Sequence, residues 1–291
     1  MGIRLSEVAN LSGFVPLFCE SIDRPSRMNI EFSKFHGTGN DFIVIDNRQG
    51  RITLNQEKIA FLCHRRFGIG ADGLMMLGTA DPEDFSMTYY NADGKKGSLC
   101  GNGARCVTAF AFQLGIINHE CRFKTFDGIH QARIESKSSS GPLLIKVSLQ
   151  DVTGINKLTQ NSYSLDTGSP HYVEFVDKLA TVDVFNSGKK IRWDKRFLPA
   201  GINVNFVEKA KNKLLVGTFE RGVEDVTLSC GTGVTAAAIA ATAQLQDGDY
   251  SWNIVTSGGE LEVEFRKINS SYTNVWLKGP GLHGFSGSIQ V

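Results

Sequence analysis

Cys100-Gly-Asn-Gly-Ala-Arg-Cys-Val-Thr-Ala-Phe-Ala-Phe-Gln-Leu114 and Cys230-Gly-Thr-Gly-Val-Thr-Ala-Ala-Ala-Ile-Ala-Ala-Thr-Ala-Gln-Leu245 decide the fold, because they are two versions of one pattern. Each opens on Cys-Gly-x-Gly and runs into a helix candidate, Ala104 to Leu114 in one and Val234 to Leu245 in the other. Both runs are rich in alanine with glycine just ahead, which suits a helix buried at the centre of a sheet better than one on a solvated face. The copies stand about half the chain apart. Two homologous halves facing each other are the economical explanation. The expected fold class is therefore α+β: two pseudo-symmetric α/β domains, each a mixed sheet around a central helix.

Outward from these helices, short alternating apolar segments dominate: Ile30 to Phe35, Phe42 to Asp46, Met87 to Asn91, His130 to Ile134 and Leu143 to Leu149. Period-two patterning punctuated by Gly, Asn and Asp predicts strands. Asn55 to Phe67 sets Ile59, Leu62, Cys63 and Phe67 at helical spacing ahead of Gly68, which predicts a helix with a glycine stop. The Ser-rich patch from Ser136 to Gly141 predicts a turn near a domain boundary. Strand-like segments resume at Tyr172 to Val176, Asn203 to Glu208, Lys213 to Glu220, Glu260 to Arg266 and Asn274 to Lys278.

Composition narrows the function. The 31 Lys and Arg against 30 Asp and Glu leave a net charge of +1, which excludes a protein devoted to phosphate-backbone binding, so no nucleic-acid partner is expected. Glycine, 31 of 291 residues, is enriched without a collagen period and predicts tight turns and close backbone approaches. The cysteines at 19, 63, 100, 106, 121 and 230 include no Cys-x-x-Cys pair, so neither a disulfide scaffold nor a metal site is expected, and a reducing compartment is. Residues 1–27 read as a flexible leader, with Met28 an alternative start. The apolar stretch Phe14 to Cys19 contains Pro16 and is closed by Glu20 and Asp23, which suits neither a secretory signal nor a membrane span. No later apolar run approaches the length of a span, which predicts a soluble cytoplasmic protein with no membrane partner.

The chemistry lies in the two turns. A cysteine just ahead of a helix feels the positive end of the helix dipole and unpaired N–H groups, both of which favour thiolate. The glycines leave those N–H groups open to a carboxylate. If the halves face each other, both helix ends point into one cleft, and a thiol/thiolate pair brackets whatever binds there. Such a pair can take a proton from one face of a carbon and return one to the other, inverting the centre.

The sequence resembles the diaminopimelate epimerases, pyridoxal-independent amino-acid epimerases, over residues 28–291. The resemblance rests on His36-Gly-Thr-Gly-Asn-Asp-Phe, Gly68-Ile-Gly-Ala-Asp-Gly, Tyr90-Asn-Ala-Asp-Gly, Cys100-Gly-Asn-Gly-Ala-Arg-Cys, Ser169-Pro-His, Asn203-Val-Asn-Phe-Val, Glu220-Arg-Gly-Val and Cys230-Gly-Thr-Gly. It implies two α/β domains, 28–148 plus 278–291 and 149–277, the last strand returning to the first. It also implies interconversion of LL- and meso-diaminopimelate without a cofactor, in the supply of lysine and peptidoglycan precursors. Cys100 and Cys230 would be the acid/base pair. Asn40, Gly101, Asn102, Gly231 and Thr232 would hold the carboxylate and amine of the reacting centre. Asn91, Asn203 and Arg221 would bind the distant amino-acid end, with Arg221 supplying a forked contact to a carboxylate. His171 and Glu220 would sit beside the sulfurs and set their protonation.

Three positions depart from that pattern. Ser169 stands where many relatives have Asn, so one distal hydrogen bond would be shorter or water-mediated; Gly73 replaces a Gln of some relatives, removing a side-chain contact; and Lys96, where an acidic residue is common, would add positive charge near Cys100. Gly68-Ile-Gly-Ala-Asp-Gly satisfies the dinucleotide fingerprint literally, but a helix precedes it and the strand-like Leu74 to Leu77 follows, the reverse of what phosphate binding needs. No glycine-rich phosphate cup accompanies a lysine suited to pyridoxal phosphate. Cys63, Cys106 and Cys121 read as packed residues, and His64, His119, His130 and His283 as structural ones. The alternatives are another cofactor-independent racemase, such as a proline racemase, and a nonenzymatic amino-acid-binding or thiol redox protein. A homodimer is compatible with all of these.

Overall fold

The structure, a computed structural model, describes residues 28–97, 99–136 and 142–291. The expected leader at 1–27 and the turn expected after Ser136 lie outside them. Among the described residues, no helix is long and apolar enough to cross a membrane.

The first half runs β1 (Asn29–Gly37), β2 (Asn40–Asp46), α1 (Gln56–Cys63), β3 (Gly73–Gly78), β4 (Phe85–Asn91), α2 (Gly101–Gln113), β5 (Glu120–Thr125), β6 (Gly128–Ser136) and β7 (Leu143–Ser148). Two short strands follow, β8 (Val152–Thr153) and β9 (Asn156–Lys157). The second half is β10 (Ser162–Asp166), β11 (Pro170–Val176), α3 (Val184–Arg192), β12 (Asn203–Ala210), β13 (Lys213–Glu220), β14 (Asp225–Thr227), α4 (Gly231–Thr242), β15 (Gly248–Thr256), β16 (Gly259–Ile268) and β17 (Ser271–Gln290).

The halves repeat one strand order. From β1 to β7, successive neighbours pair antiparallel, parallel, antiparallel, parallel, antiparallel and antiparallel. The series β10, β11, β12, β13, β15, β16, β17 repeats that sequence of senses. α1 and α3 occupy equivalent crossovers, as do α2 and α4. The two halves also close each other. β17 leaves β16, pairs with β7 from Trp276 to Gly281, and then runs along β1 from Leu282 to Gln290, completing the ring around α2. In return, the chain after β7 crosses over, so that β8 pairs with β17 and β9 with β10.

Both central helices are buried as their alanine-rich sequences predict: α4 packs Val234, Ile239 and its alanines, and α2 packs Val107, Ala109 and Ala111, into one core that spans the halves. Each helix begins earlier than its apolar run suggests. Gly101 and Gly231 are the first helical residues, and the cysteines themselves are the caps, in nearly the same extended conformation (φ −104°, ψ 112° and φ −118°, ψ 111°). α1 differs from expectation at its other end, stopping at Cys63 rather than running to Phe67. Ile59, Leu62 and Cys63 are buried, whereas Phe67 is 75% exposed. The His64 ring accepts hydrogen bonds from the Arg66 and Phe67 N–H groups, and the chain folds back so that the Ile69 and Gly70 N–H groups reach the Leu62 carbonyl. A Cβ on Gly68 would fall 2.0 Å from the Phe61 carbonyl oxygen, so this glycine serves the fold-back rather than a helix stop.

Candidate active site

The two helix N-termini meet. A Cβ on Gly231 would lie 3.7 Å from the Gly101 Cα and 3.8 Å from the Asn102 Oδ1, and Leu277 of β17 would be 2.9 Å from a Cβ on either glycine. The Leu277 side chain of the crossing strand thus lies against the first helical glycine of both turns and wedges between them.

At the first turn, Cys100 Sγ points its hydrogen at Asn40 Oδ1, 3.7 Å away at the start of β2. Asn102 Nδ2 donates to the same oxygen at 3.2 Å and to the carbonyl of Ser229, the residue before Cys230, at 3.1 Å. Asn40 is held by Asp72, whose Oδ2 accepts from its Nδ2 at 2.7 Å and whose Oδ1 accepts from Arg65. Burial pushes the Cys100 thiol up to about 11, with Glu220 adding to the rise; the N–H groups of Gly103 and Asn102 and the charge of Arg105 pull the other way. The β1–β2 turn that brings Asn40 here has positive φ at both Thr38 and Gly39, the mirror-image turn that suits a two-residue hairpin. A Cβ on Gly39 would also strike Leu228 at 2.6 Å.

At the second turn, Cys230 is buried and lies 3.5 Å from the Thr232 hydroxyl. Burial raises its pKa, and the Glu220 carboxylate raises it further, while Thr232 and the Gly233 N–H oppose the rise. Glu220, at the end of β13, is itself raised by burial, with the neighbouring Thr227 hydroxyl opposing the rise, the Asp72 charge adding to it and the Cys230 thiol opposing it. Thr167 donates to the Thr232 carbonyl at 2.9 Å and so anchors the turn. His171 is fully buried in β11, where desolvation and the Arg221 charge hold its pKa down at about 3. It is neutral at physiological pH. Asn205 lies 3.1 Å from its Nδ1 and donates to it, because the Asn205 Oδ1 is taken by the Thr218 hydroxyl. The ring proton therefore sits on Nε2. Asn205 also packs on the second turn, since a Cβ on Gly233 would approach its Oδ1 to 2.4 Å.

Asn203 and Arg221 come together at Ser169. Asn203 Oδ1 accepts from the Arg221 N–H at 2.9 Å, and Ser169 Oγ accepts from both side chains, at 2.9 Å from Asn203 and 3.4 Å from Arg221. The serine therefore organises the pair rather than leaving a gap. Asn91 ends β4 in the other half, with its amide 3.5 Å from the Lys95 carbonyl. At Gly73 the Tyr89 ring fills the space a side chain would take, 2.6 Å from a notional Cβ. Lys96 is exposed and lines a pocket of about 220 Å³ with Tyr89, Leu99 and Lys124. Cys63, Cys106 and Cys121 are buried with their thiols pushed up by desolvation, as packed cysteines are. Asp72, Arg105 and Asn205 also take part, without a role that the sequence alone assigns them. All three lie inside quoted motifs, but only the fold shows that Asp72 and Arg105 hold the amides beside Cys100 and that Asn205 holds His171.

Two interlocked halves, each a mixed sheet around a central helix, form a fold shared with solved structures of low sequence identity. A probable proline racemase from Agrobacterium radiobacter aligns with TM-score 0.68 at 14% identity, covering 89% of this chain and 92% of that one. A PhzF-family phenazine biosynthesis protein from Bacillus anthracis aligns with TM-score 0.67 at 14% identity, covering 91% and 99%. Sequence comparison is more specific, and by it the chain belongs to the diaminopimelate epimerase family, whose profile matches residues 9–152 and 163–279. The diaminopimelate epimerase of Flavobacterium psychrophilum is 46% identical over 88% of this chain and 98% of its own length. That of Chlorobaculum tepidum is 41% identical over 88% and 99%.

Proposed function

We infer that this chain is an isomerase that interconverts LL- and meso-diaminopimelate, a step in lysine biosynthesis, by a two-base reaction needing no pyridoxal phosphate, metal or nucleotide. The observation that carries the reading is the meeting of two Cys-Gly-x-Gly helix ends across Leu277. One cysteine, as thiolate, takes the α-proton; the electron pair rests on the carbanionic centre; the other cysteine, as thiol, delivers its proton to the opposite face and is left as the new thiolate. The carboxylate and amine of the reacting centre are held by Asn40, Asn102 and Thr232 together with the backbone of Gly101 and Gly231, where helix-end N–H groups favour an anion. Glu220 shares its proton with Cys230, and His171 acts through Asn205. Asn203 and Arg221, arranged by Ser169, take the distant carboxylate, with Asn91 facing them from the other half. On this reading the domains divide as 28–148 plus 278–291 and 149–277, the enzyme works in the cytoplasm, and a homodimer is compatible with it.

Incubation with LL-diaminopimelate, and separately with L-proline, without added cofactor tests the proposal. Meso product from the first and no racemisation of the second are expected. Racemised proline with untouched diaminopimelate would assign the chain to the other substrate class, and activity lost to a chelator and restored by metal would refute the two-base mechanism.

A further inference from the structure

Arg105 is fully buried on the second turn of α2, and none of the ion pairs among the described residues includes it. A buried guanidinium without an anion is costly, and an arrangement that keeps one needs a compensating return. Its hydrogen bonds go to neutral oxygens: Pro280 O at 3.2 Å, Gly101 O at 3.3 Å, Asn102 Oδ1 at 2.9 Å and Thr38 Oγ1 at 3.5 Å. Glycines make its slot, since a Cβ on Gly37 would come within 3.1 Å of its Nη2, and one on Gly279 within 3.1 Å of its Nε.

Two consequences follow from those bonds. Because the guanidinium claims the Asn102 Oδ1, the Asn102 NH₂ must face the other way, towards Asn40 Oδ1 and Ser229 O. Asp72 fixes Asn40 in the same manner from the far end, so the Asn40 oxygen is what meets Cys100. A chain of amides with no freedom to flip then ties one cysteine turn to the other. The second consequence is charge. The titratable groups that bear on Cys100 are Glu220 from β13, Cys230 from the opposite turn, Tyr89 from β4, and Cys106 and Arg105 from α2. Arg105 is the cation among them. The equivalent residue of α4 is Thr235, which reaches only the Gly231 carbonyl, at 2.9 Å, and carries no charge.

We propose that Arg105 is a positioning residue of the epimerase reaction: it locks the Asn102 amide across the junction of the two turns and supplies the standing positive charge for the thiolate and carboxylate gathered at the Cys100 end. The inference rests on the proposed epimerase activity, but part of its test does not use diaminopimelate.

The test uses the full chain with Arg105→Met and Arg105→Lys, each checked for a cooperative thermal transition. Two quantities are read: kcat and KM for LL-diaminopimelate, and the rate of iodoacetamide alkylation of Cys100 between pH 7 and 9, followed by peptide mass spectrometry. Arg105→Met removes the charge and the fork. Alkylation at a given pH should slow by about tenfold for each unit that the thiol rises, and kcat should fall by roughly a hundredfold or more, the scale of an acid–base contribution, with KM changed less. Arg105→Lys keeps the charge without the fork, so alkylation should stay near wild type while kcat still falls. An unshifted alkylation profile in Arg105→Met, or wild-type kcat in either variant, overturns the proposal. If Arg105→Met does not fold, Arg105→Lys decides it, since near wild-type alkylation with reduced kcat is required. A wild-type chain without epimerase activity would sink the functional reading, while the alkylation profiles would still report on Arg105.

Discussion

The two cysteine turns share a backbone and differ in what surrounds it. Cys100 and Cys230 cap their helices at nearly the same φ and ψ, and Gly101 and Gly231 each pack against Leu277. Around Cys100 stand an amide held by Asp72 and a buried arginine; around Cys230 stand the Thr232 hydroxyl, the Glu220 carboxylate and Thr235. The register extends the contrast. Gly73 opposes Asn91 across β3 and β4, where Val204 opposes Phe219 across β12 and β13, which places Asn203 and Glu220 in the corresponding positions. Thr38-Gly39-Asn40 answers to Thr167-Gly168-Ser169 in the same way. A doubled fold therefore supplies two sulfurs of like geometry. Divergence then surrounds the two sulfurs with different neighbours; on the proposed reading Asn203, Arg221 and Ser169, which hydrogen-bond one another, serve a more distant group of the substrate.

The largest test of that comparison removes each sulfur. Cys100→Ala and Cys230→Ala should each cut epimerisation by at least about 10⁴-fold, the upper end of an acid–base contribution, because neither half can do the other's part. Cys63→Ala, whose thiol burial pushes up to about 12, should leave turnover in place. Near-normal activity in either of the first two variants would reduce the pair to a single base.

A smaller effect separates the distal group from the reacting centre. Arg221→Lys loses the fork that meets a carboxylate, at about 1.5–3 kcal/mol for each hydrogen bond to a charged group, or roughly ten- to hundredfold. KM for diaminopimelate should rise by that factor, and discrimination against substrates lacking the distal carboxylate should fall. Unchanged KM would remove Arg221 from the substrate site.

Where backbone chemistry decides, the sequence was readable. Glycine beside cysteine at a helix entry has a local meaning, so both turns, their buried helices and the two halves could be anticipated. What depends on distant partners could not. The motif containing Asp72 shows an acidic residue, but only the fold brings Asn40 to it; Arg105 looks like a surface cation in an alanine-rich run until β17 and the β1–β2 turn close over it. The helical period continues to Phe67, but the helix does not, because the His64 side chain satisfies the Arg66 and Phe67 N–H groups beyond Cys63. β15 is not legible locally, because its outward residues, among them Asp249, Ser251 and Asn253, resemble a loop until β16 pairs with them. The length of β17, 20 residues spanning both halves, follows from two different sets of partners that no local pattern announces.

The central claim is that the two sulfurs work on opposite faces of one carbon. In that case the hydrogen taken from the substrate stays on one cysteine, and the product receives hydrogen from the other, which has already exchanged with solvent. Exclusion of water from the cleft keeps the two events separate. LL-diaminopimelate turned over in deuterium oxide, stopped at low conversion and analysed by mass spectrometry, should give meso product carrying deuterium at the inverted α-carbon and recovered substrate carrying almost none. Equal deuterium in substrate and product would mean that one group serves both faces, and would contradict the pairing of Cys100 with Cys230.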